Sequence, residues 1–339
     1  MRPYLLPLLL LVAACPQRRG GGGGPPAPAG LGCPAAKSVY IASYLAPEDG
    51  AKEGHTGWVL PLHDKVVDSV EGTAEYQVID AAAAGTAGVP APPRTAWLLS
   101  PQGGAPCKAT VGGSYAAAIE GPTPNVAYGV ELSGCPAPPD ASDASAIVLT
   151  YDGVVDEGPP TDCKVIPPRS VAARLGEIDK EGQWSRPAKE TPIPPAFAKV
   201  VPDKPCAPPA CEKLWSIAQV DVGGKTVAWA GAVNWLAIPP GDGPEKQCDW
   251  KAETFAGFFT AGADGTPVKV TEAQAHPLVL AAVLADSGGA KVMVAAAPGE
   301  YTAYDLDGGA ARVGRHLVWL VASPESYTAV DHLGPDCGP

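Results

Sequence analysis

Four glycine-bearing turns cut the second half of this 339-residue chain into short apolar runs: Val222-Gly223-Gly224-Lys225, Ala263-Asp264-Gly265-Thr266, Asp286-Ser287-Gly288-Gly289 and Asp307-Gly308-Gly309-Ala310. Glycine supplies the positive φ that tight hairpins require, so each run is expected to fold back antiparallel on the one before it. On this reading 278–285 pairs with 291–297, and 301–306 pairs with 313–321. The last of these is apolar on both faces after His316 and is expected in the middle of a sandwich. In the first half, 38–45 alternates Val39, Ile41 and Leu45 against Tyr40 and Tyr44, the period of two that marks a strand. The 40 glycines and 40 prolines fall between such runs, so they are punctuation and not low complexity. The pattern predicts an all-β protein, mainly antiparallel and sandwich-like with one short helix, and a β-propeller as the alternative. Trp229, Trp235 and Trp319 are expected in the core.

A different texture separates the halves. Eight prolines fall between Pro187 and Pro209, a density that prevents sheet ladders. One helix is expected there over 171–180, with Ser170 as N-cap and Val171, Leu175 and Ile178 on one face. The expected organisation is a β-rich domain over 33–158, a proline-rich linker over 159–210 and a second β-rich domain over 211–339.

The amino terminus carries an address. Arg2 precedes an apolar run over 4–14, too short for a membrane helix, which needs roughly 20 residues, and consistent with a removed signal peptide over 1–14. The run closes Val12-Ala13-Ala14-Cys15, which resembles the lipobox of bacterial lipoproteins. The resemblance implies cleavage before Cys15 and acylation of that cysteine, so that the partner is a lipid bilayer held through an N-terminal acyl anchor. Two or more acyl chains anchor stably where one does not. Pro16 stands where some bacteria place the Asp that retains lipoproteins at the inner membrane, so the resemblance favours the outer membrane of the cell envelope. The residues up to Gly32 form a Gly/Pro-rich tether behind Cys15, with a reach of about 20–25 Å.

Beyond Gly32 all 36 acidic residues remain, while Arg2, Arg18 and Arg19 are lost from the 24 basic ones, leaving a body of net charge −15. Nucleic-acid binding, which needs a basic face, is disfavoured. Setting Cys15 aside leaves an even set of cysteines: Cys33, Cys107, Cys135, Cys163, Cys206, Cys211, Cys248 and Cys337. An even count in an exported chain reads as a disulfide framework. Cys107 with Cys135, Cys206 with Cys211 and Cys248 with Cys337 are the expected pairs. No histidine lies near Cys206 and Cys211, which disfavours a zinc site.

The chemistry-bearing signals are weak. Asp286-Ser287-Gly288-Gly289 resembles the nucleophile segment of the chymotrypsin-like proteases, but Ala285 replaces the family's glycine and Ala290 its proline. His55 and His63 precede it in the right order without the family's context, and a hairpin turn accounts for the four residues. Ser114, in Gly112-Gly113-Ser114, falls short of a nucleophile elbow. His276 and His316 show no metal-ligand spacing. The carboxylates Asp152, Asp156, Glu157, Asp305 and Asp307 lack the spacing of a calcium loop and read as turns. Trp58, Trp184, Trp250 and Tyr327 lie near loop signals and are candidates for stacking on a sugar or peptide. No motif implies a cofactor or a metal. The expected function is a non-catalytic binding or structural module of the envelope, with an envelope protein or glycan as ligand; the alternative is a secreted hydrolase with a serine nucleophile.

Overall fold

The computed structural model describes residues 31–45, 55–68, 76–100, 104–119, 125–138, 145–151, 158–175, 177–178, 184–185, 190–208, 210–237, 251–272, 279–297, 300–307 and 310–318. The fold is all-β, as the turn pattern predicts, in three stacked layers.

The first layer is a closed barrel. Its strands are β1 (Val39–Leu45), β2 (Gly57–Val66), β4 (Ala96–Leu99), β5 (Cys107–Ile119), β6 (Asn125–Ser133) and β7 (Ser145–Leu149), while β3 (Gln77–Ile79) adds to the outside of β5. The order β5-β4-β7-β1-β2-β6 returns to β5, so the sheet has no free edge around the ring. Closure depends on β5. Its first residues pair with β4, its later ones with β3, and a bulge at Gly112-Gly113 turns it between the two while β6 runs along its other side. Alternate residues of all six strands fill the interior, among them Ala42, Leu60, Leu98, Ala109, Val130 and Val148. The first half is thus a barrel and not the sandwich the alternation alone would allow. The difference is a long-range pairing, β5 with β6, that no local pattern records.

The second and third layers are five-stranded sheets, and a separate antiparallel pair, β10 (Glu177–Ile178) and β11 (Trp184–Ser185), lies between β9 and β12 in the chain. The middle one has the order β19-β18-β17-β16-β8, from β8 (Lys164–Ile166), β16 (Val279–Asp286), β17 (Gly289–Ala297), β18 (Glu300–Asp307) and β19 (Ala310–Val318). The outer one has the order β15-β14-β13-β12-β9, from β9 (Arg169–Arg174), β12 (Cys211–Val222), β13 (Lys225–Ala237), β14 (Lys251–Ala261) and β15 (Pro267–Glu272). The middle sheet is buried on both faces. Leu284, Val292, Val294 and Ala303 pack on the barrel's Val39, Ile41, Ile147 and Leu149. Leu280, Val283, Met293 and Tyr304 pack on Val220, Ala230, Ala256 and Phe258 of the outer sheet. This is why 279–297 reads apolar at nearly every position. The layers are stacked face to face, so the propeller alternative does not apply to the described strands.

Three sequence expectations are corrected. The helix expected over 171–180 is strand β9 in its first part, paired along Trp215–Gln219 of β12; the edge of the outer sheet overrides a weak local helix preference. The stretch 159–210, expected as a linker, gives β8 to the middle sheet and β9 to the outer one. The run from His316 is described to residue 318, and there it does not sit mid-sheet: among the described strands β19 is an edge strand paired with β18, and Arg312, Val313 and His316 are exposed.

The hairpins follow the turn chemistry. Val222 pairs with Lys225 across Gly223 and Gly224, whose φ values of 58° and 77° are those of a type I′ turn. The helix α1 (Ala81–Ala87) is capped by Asp80, which accepts the Ala83 N–H at 2.7 Å. The short α2 (Pro195–Ala198) lays Phe197 on the outer sheet, against Trp229 and Phe259. A Cβ on Gly231 would meet the Phe197 ring at 2.3 Å, so only glycine admits the ring there. Disulfides join Cys33 to Cys163, Cys107 to Cys135 and Cys206 to Cys211. The second and third are the expected pairs; the first was not derivable, because its cysteines stand 130 residues apart. Cys248 and Cys337 lie outside the described residues.

Candidate functional site

The barrel's outer surface carries a row of titratable side chains among the described residues. Strand alternation puts Tyr115 of β5 outside the ring, opposite Gly129 of β6. A Cβ at Gly129 would lie 2.8 Å from the Tyr115 ring and 2.1 Å from the Leu60 carbonyl oxygen, so the missing side chain is what lets the tyrosine lie flat across the sheet. Tyr76, just before β3, stacks on Tyr115 with ring centres 5.2 Å apart, and His55, just before β2, stacks on Tyr76 at 4.3 Å. Glu131 of β6 joins the group: it accepts the Tyr76 hydroxyl at 2.8 Å and lies 3.6 Å from His55 Nδ1.

The electrostatics of this row are set by burial. Burial, with the hydrogen bond to and charge of Glu131 added, holds the Tyr76 phenol far above its ordinary value. Burial likewise raises Tyr115, with Tyr76 as a second cause. Both phenols therefore remain protonated donors. The Tyr115 hydroxyl and His55 Nε2 are buried without a hydrogen-bond partner, and His55 Nε2 lies 3.2 Å from where a Cβ on Gly57 would stand. The imidazole is thus held by a ring on its face and a carboxylate at Nδ1, with its other nitrogen turned against backbone. This arrangement orients a histidine but leaves Nε2 out of reach of a substrate in solvent.

Among the described residues, the two candidate serines have partners other than a histidine. The Ser287 hydroxyl donates to Asp162 Oδ2 at 2.7 Å and its N–H to Oδ1 at 3.1 Å, so its donor is engaged by a carboxylate and not by an imidazole. Ser114 pairs with Val130, whose side chain fills the barrel, on the opposite face of β5 from Tyr115 and the His55 row. His63 stacks on Tyr128 across the β2–β6 pair, and His316 lies on the edge strand. Asp305 accepts the Ala36 N–H at 2.7 Å, a structural use of a carboxylate considered for calcium. Trp58, a candidate for stacking at the surface, is a core residue: it is 7% exposed, donates its indole N–H to the Pro136 carbonyl at 2.9 Å and meets Tyr44 edge-on. Trp229 and Trp235 are buried as expected. Cys15, Asp152, Asp156, Glu157, Trp250, His276, Trp319 and Tyr327 lie outside the described residues, and of Trp184 only the backbone is described.

Two polar groups escaped the sequence reading. Tyr76, Tyr115 and Glu131 come from three segments, and only the register of β5 on β6 and the position of β3 bring them to one face. The other is Arg174, which pairs with the fully buried Glu212 and with Glu190 at 3.0 Å, and sits 5.6 Å over Trp215. The one legible trace was an isolated glutamate, Glu212, in an otherwise strand-like run. Comparison of the chain with protein-family profiles, curated proteins and solved structures finds no match.

Proposed function

We propose that this chain is a lipid-anchored protein of a bacterial cell envelope, acylated on Cys15 and displayed at the outer membrane as a binding or structural module. The observation that carries this reading is the run from Leu8 to Cys15, ending Val12-Ala13-Ala14-Cys15 and followed by a Gly/Pro-rich spacer up to Gly32. Two features of the body support it. The disulfides Cys33–Cys163, Cys107–Cys135 and Cys206–Cys211 suit an oxidising compartment. The acidic surface suits a protein that must stay soluble beside a membrane without adsorbing to anionic headgroups. An envelope protein or a glycan is the class of ligand such a display presents itself to.

The test is membrane fractionation of the wild type beside Cys15→Ser, with the mass of the mature amino terminus. The wild type is expected in the membrane fraction with an acylated Cys15 as its first residue, and the variant is expected to lose that modification. A mature terminus at any other residue, or an unmodified Cys15, overturns the reading.

A further inference from the structure

The segment that leads from the tether into the barrel is fastened at its start to Tyr151, Asp162 and Cys163, beyond the last barrel strand, and further on to the middle sheet. The Leu31 carbonyl accepts the Asp162 N–H at 3.1 Å, and the Gly32 carbonyl accepts the Tyr151 hydroxyl at 2.9 Å. Cys33 is bonded to Cys163. The Ala36 N–H goes to Asp305 of β18, and the Lys37 carbonyl accepts from Arg315 of β19 at 3.1 Å. Gly314 of β19 lies so close beneath Ala36 that a Cβ there would stand 2.4 Å from the alanine's own. Asp162, next to Cys163, is in turn tied to Ser287 in the β16–β17 turn. Residues 31–37 thus dock on the middle sheet before the first barrel strand begins. The barrel's two ends then meet: Thr150 donates its N–H to the Ser38 carbonyl at 2.9 Å, and Val39 pairs with Leu149.

We infer that residues 31–38 and the Cys33–Cys163 bond form a mechanical shunt, which passes any pull on the tether into the middle sheet and leaves the barrel as a closed loop outside the line of tension. The inference rests on the reading of Cys15 as the anchor for the physiological source of that pull. The physical reason is connectivity: force follows the shortest covalent route, and the disulfide removes the 130-residue path through the barrel from it. A barrel so placed can open, deform around a ligand or be strained by a neighbour without lengthening the link between membrane and sheets.

Single-molecule stretching of the chain from Pro16 onward, made without lipid, tests this, with one handle at its amino terminus and the other in the Gly223-Gly224 turn. At roughly 3.5 Å per residue the 130-residue path through the barrel contributes about 450 Å when it unravels. The oxidised chain is expected to show no release of that size and the reduced chain to gain it, while Cys33→Ser/Cys163→Ser, in which Cys107–Cys135 still closes 28 residues, is expected to gain about 360 Å. A release of about 360 Å or more from the oxidised chain, or identical traces before and after reduction, overturns the shunt. The non-covalent share is read by adding Gly314→Val to the double-serine variant, which displaces Ala36. The barrel is then expected to unravel at a lower force, and an unchanged force overturns the docking of residues 31–37 as a contact that carries tension. Because the stretched protein carries no lipid, these outcomes are independent of acylation. A failed acylation test beside a positive stretching result removes the source of the pull and leaves the shunt standing.

Discussion

The barrel and the stacked sheets solve the same problem by opposite means. Both are antiparallel and rich in alanine, valine and leucine, yet the barrel hides its apolar face by curling until β5 meets β6. The middle sheet stays open and hides both of its faces between neighbours. The difference lies in where glycine stands. In the barrel, Gly112-Gly113 bends a central strand and Gly129 lets Tyr115 cross it, so glycine sits inside strands and shapes curvature. In the sheets glycine mostly sits at hairpin tips, as at Gly223 and Gly224, and the strands between run long. The glycines inside strands are Gly231, Gly257 and Gly314, of which Gly231 makes room for an aromatic ring and Gly314 for Ala36, each from outside the sheet.

That contrast can be broken at single positions. The largest effect is expected from Phe197→Ala, which empties the space over Gly231 and costs about 3–5 kcal/mol. Denaturant unfolding should show the loss in the sheet half, with barrel signals from Trp58 and Trp97 unchanged; an equal shift of both would show that the layers unfold as one unit. Gly129→Val comes next. Its side chain would collide with the Leu60 carbonyl and the Tyr115 ring, and overpacking of this kind costs about 1–3 kcal/mol or more. Here the barrel should melt first, and a variant as stable as wild type would show that β6 does not need glycine to complete the ring.

The smallest effect is expected from Tyr115→Phe, with a sign opposite to the others. The hydroxyl is buried without a partner, so its removal is expected to leave stability unchanged or raise it by about 1 kcal/mol. It should also soften the alkaline side of the stability profile. Burial raises the Tyr115 phenol well above its ordinary value of 10.0, so the folded chain keeps a proton that the unfolded chain releases. Stability is therefore intact below about pH 10 and falls as pH rises above it. The variant should lose part of that fall when thermal unfolding is followed between pH 9 and 11. A clear loss of stability at neutral pH would mean that the hydroxyl is satisfied by a group the structure does not show.

The His55 row and the Ser287 turn show how unevenly a site is written in a chain. Ser287 stands in a tetrapeptide that resembles a protease nucleophile segment, and the structure uses those residues to close a hairpin onto Asp162. His55, Tyr76, Tyr115 and Glu131 show no motif, since their meeting depends on strand order around the barrel. Local signals record what a residue does to its own backbone. Convergence of distant segments is recorded only in packing.

The same division runs through the whole molecule. Turn chemistry and two-residue alternation determined that the chain is all-β and where its hairpins of the second half lie, because positive φ and side-chain alternation are properties of adjacent residues. Cys107–Cys135 was legible because both cysteines fall in one half of the chain, and Cys206–Cys211 because closing a short loop costs little entropy. Barrel closure, the burial of both faces of the middle sheet, the conversion of an expected helix into β9 and the Cys33–Cys163 bond were decided only by the tertiary structure. Each joins segments far apart in the chain, and the burial that favours the union is gained only when the layers assemble.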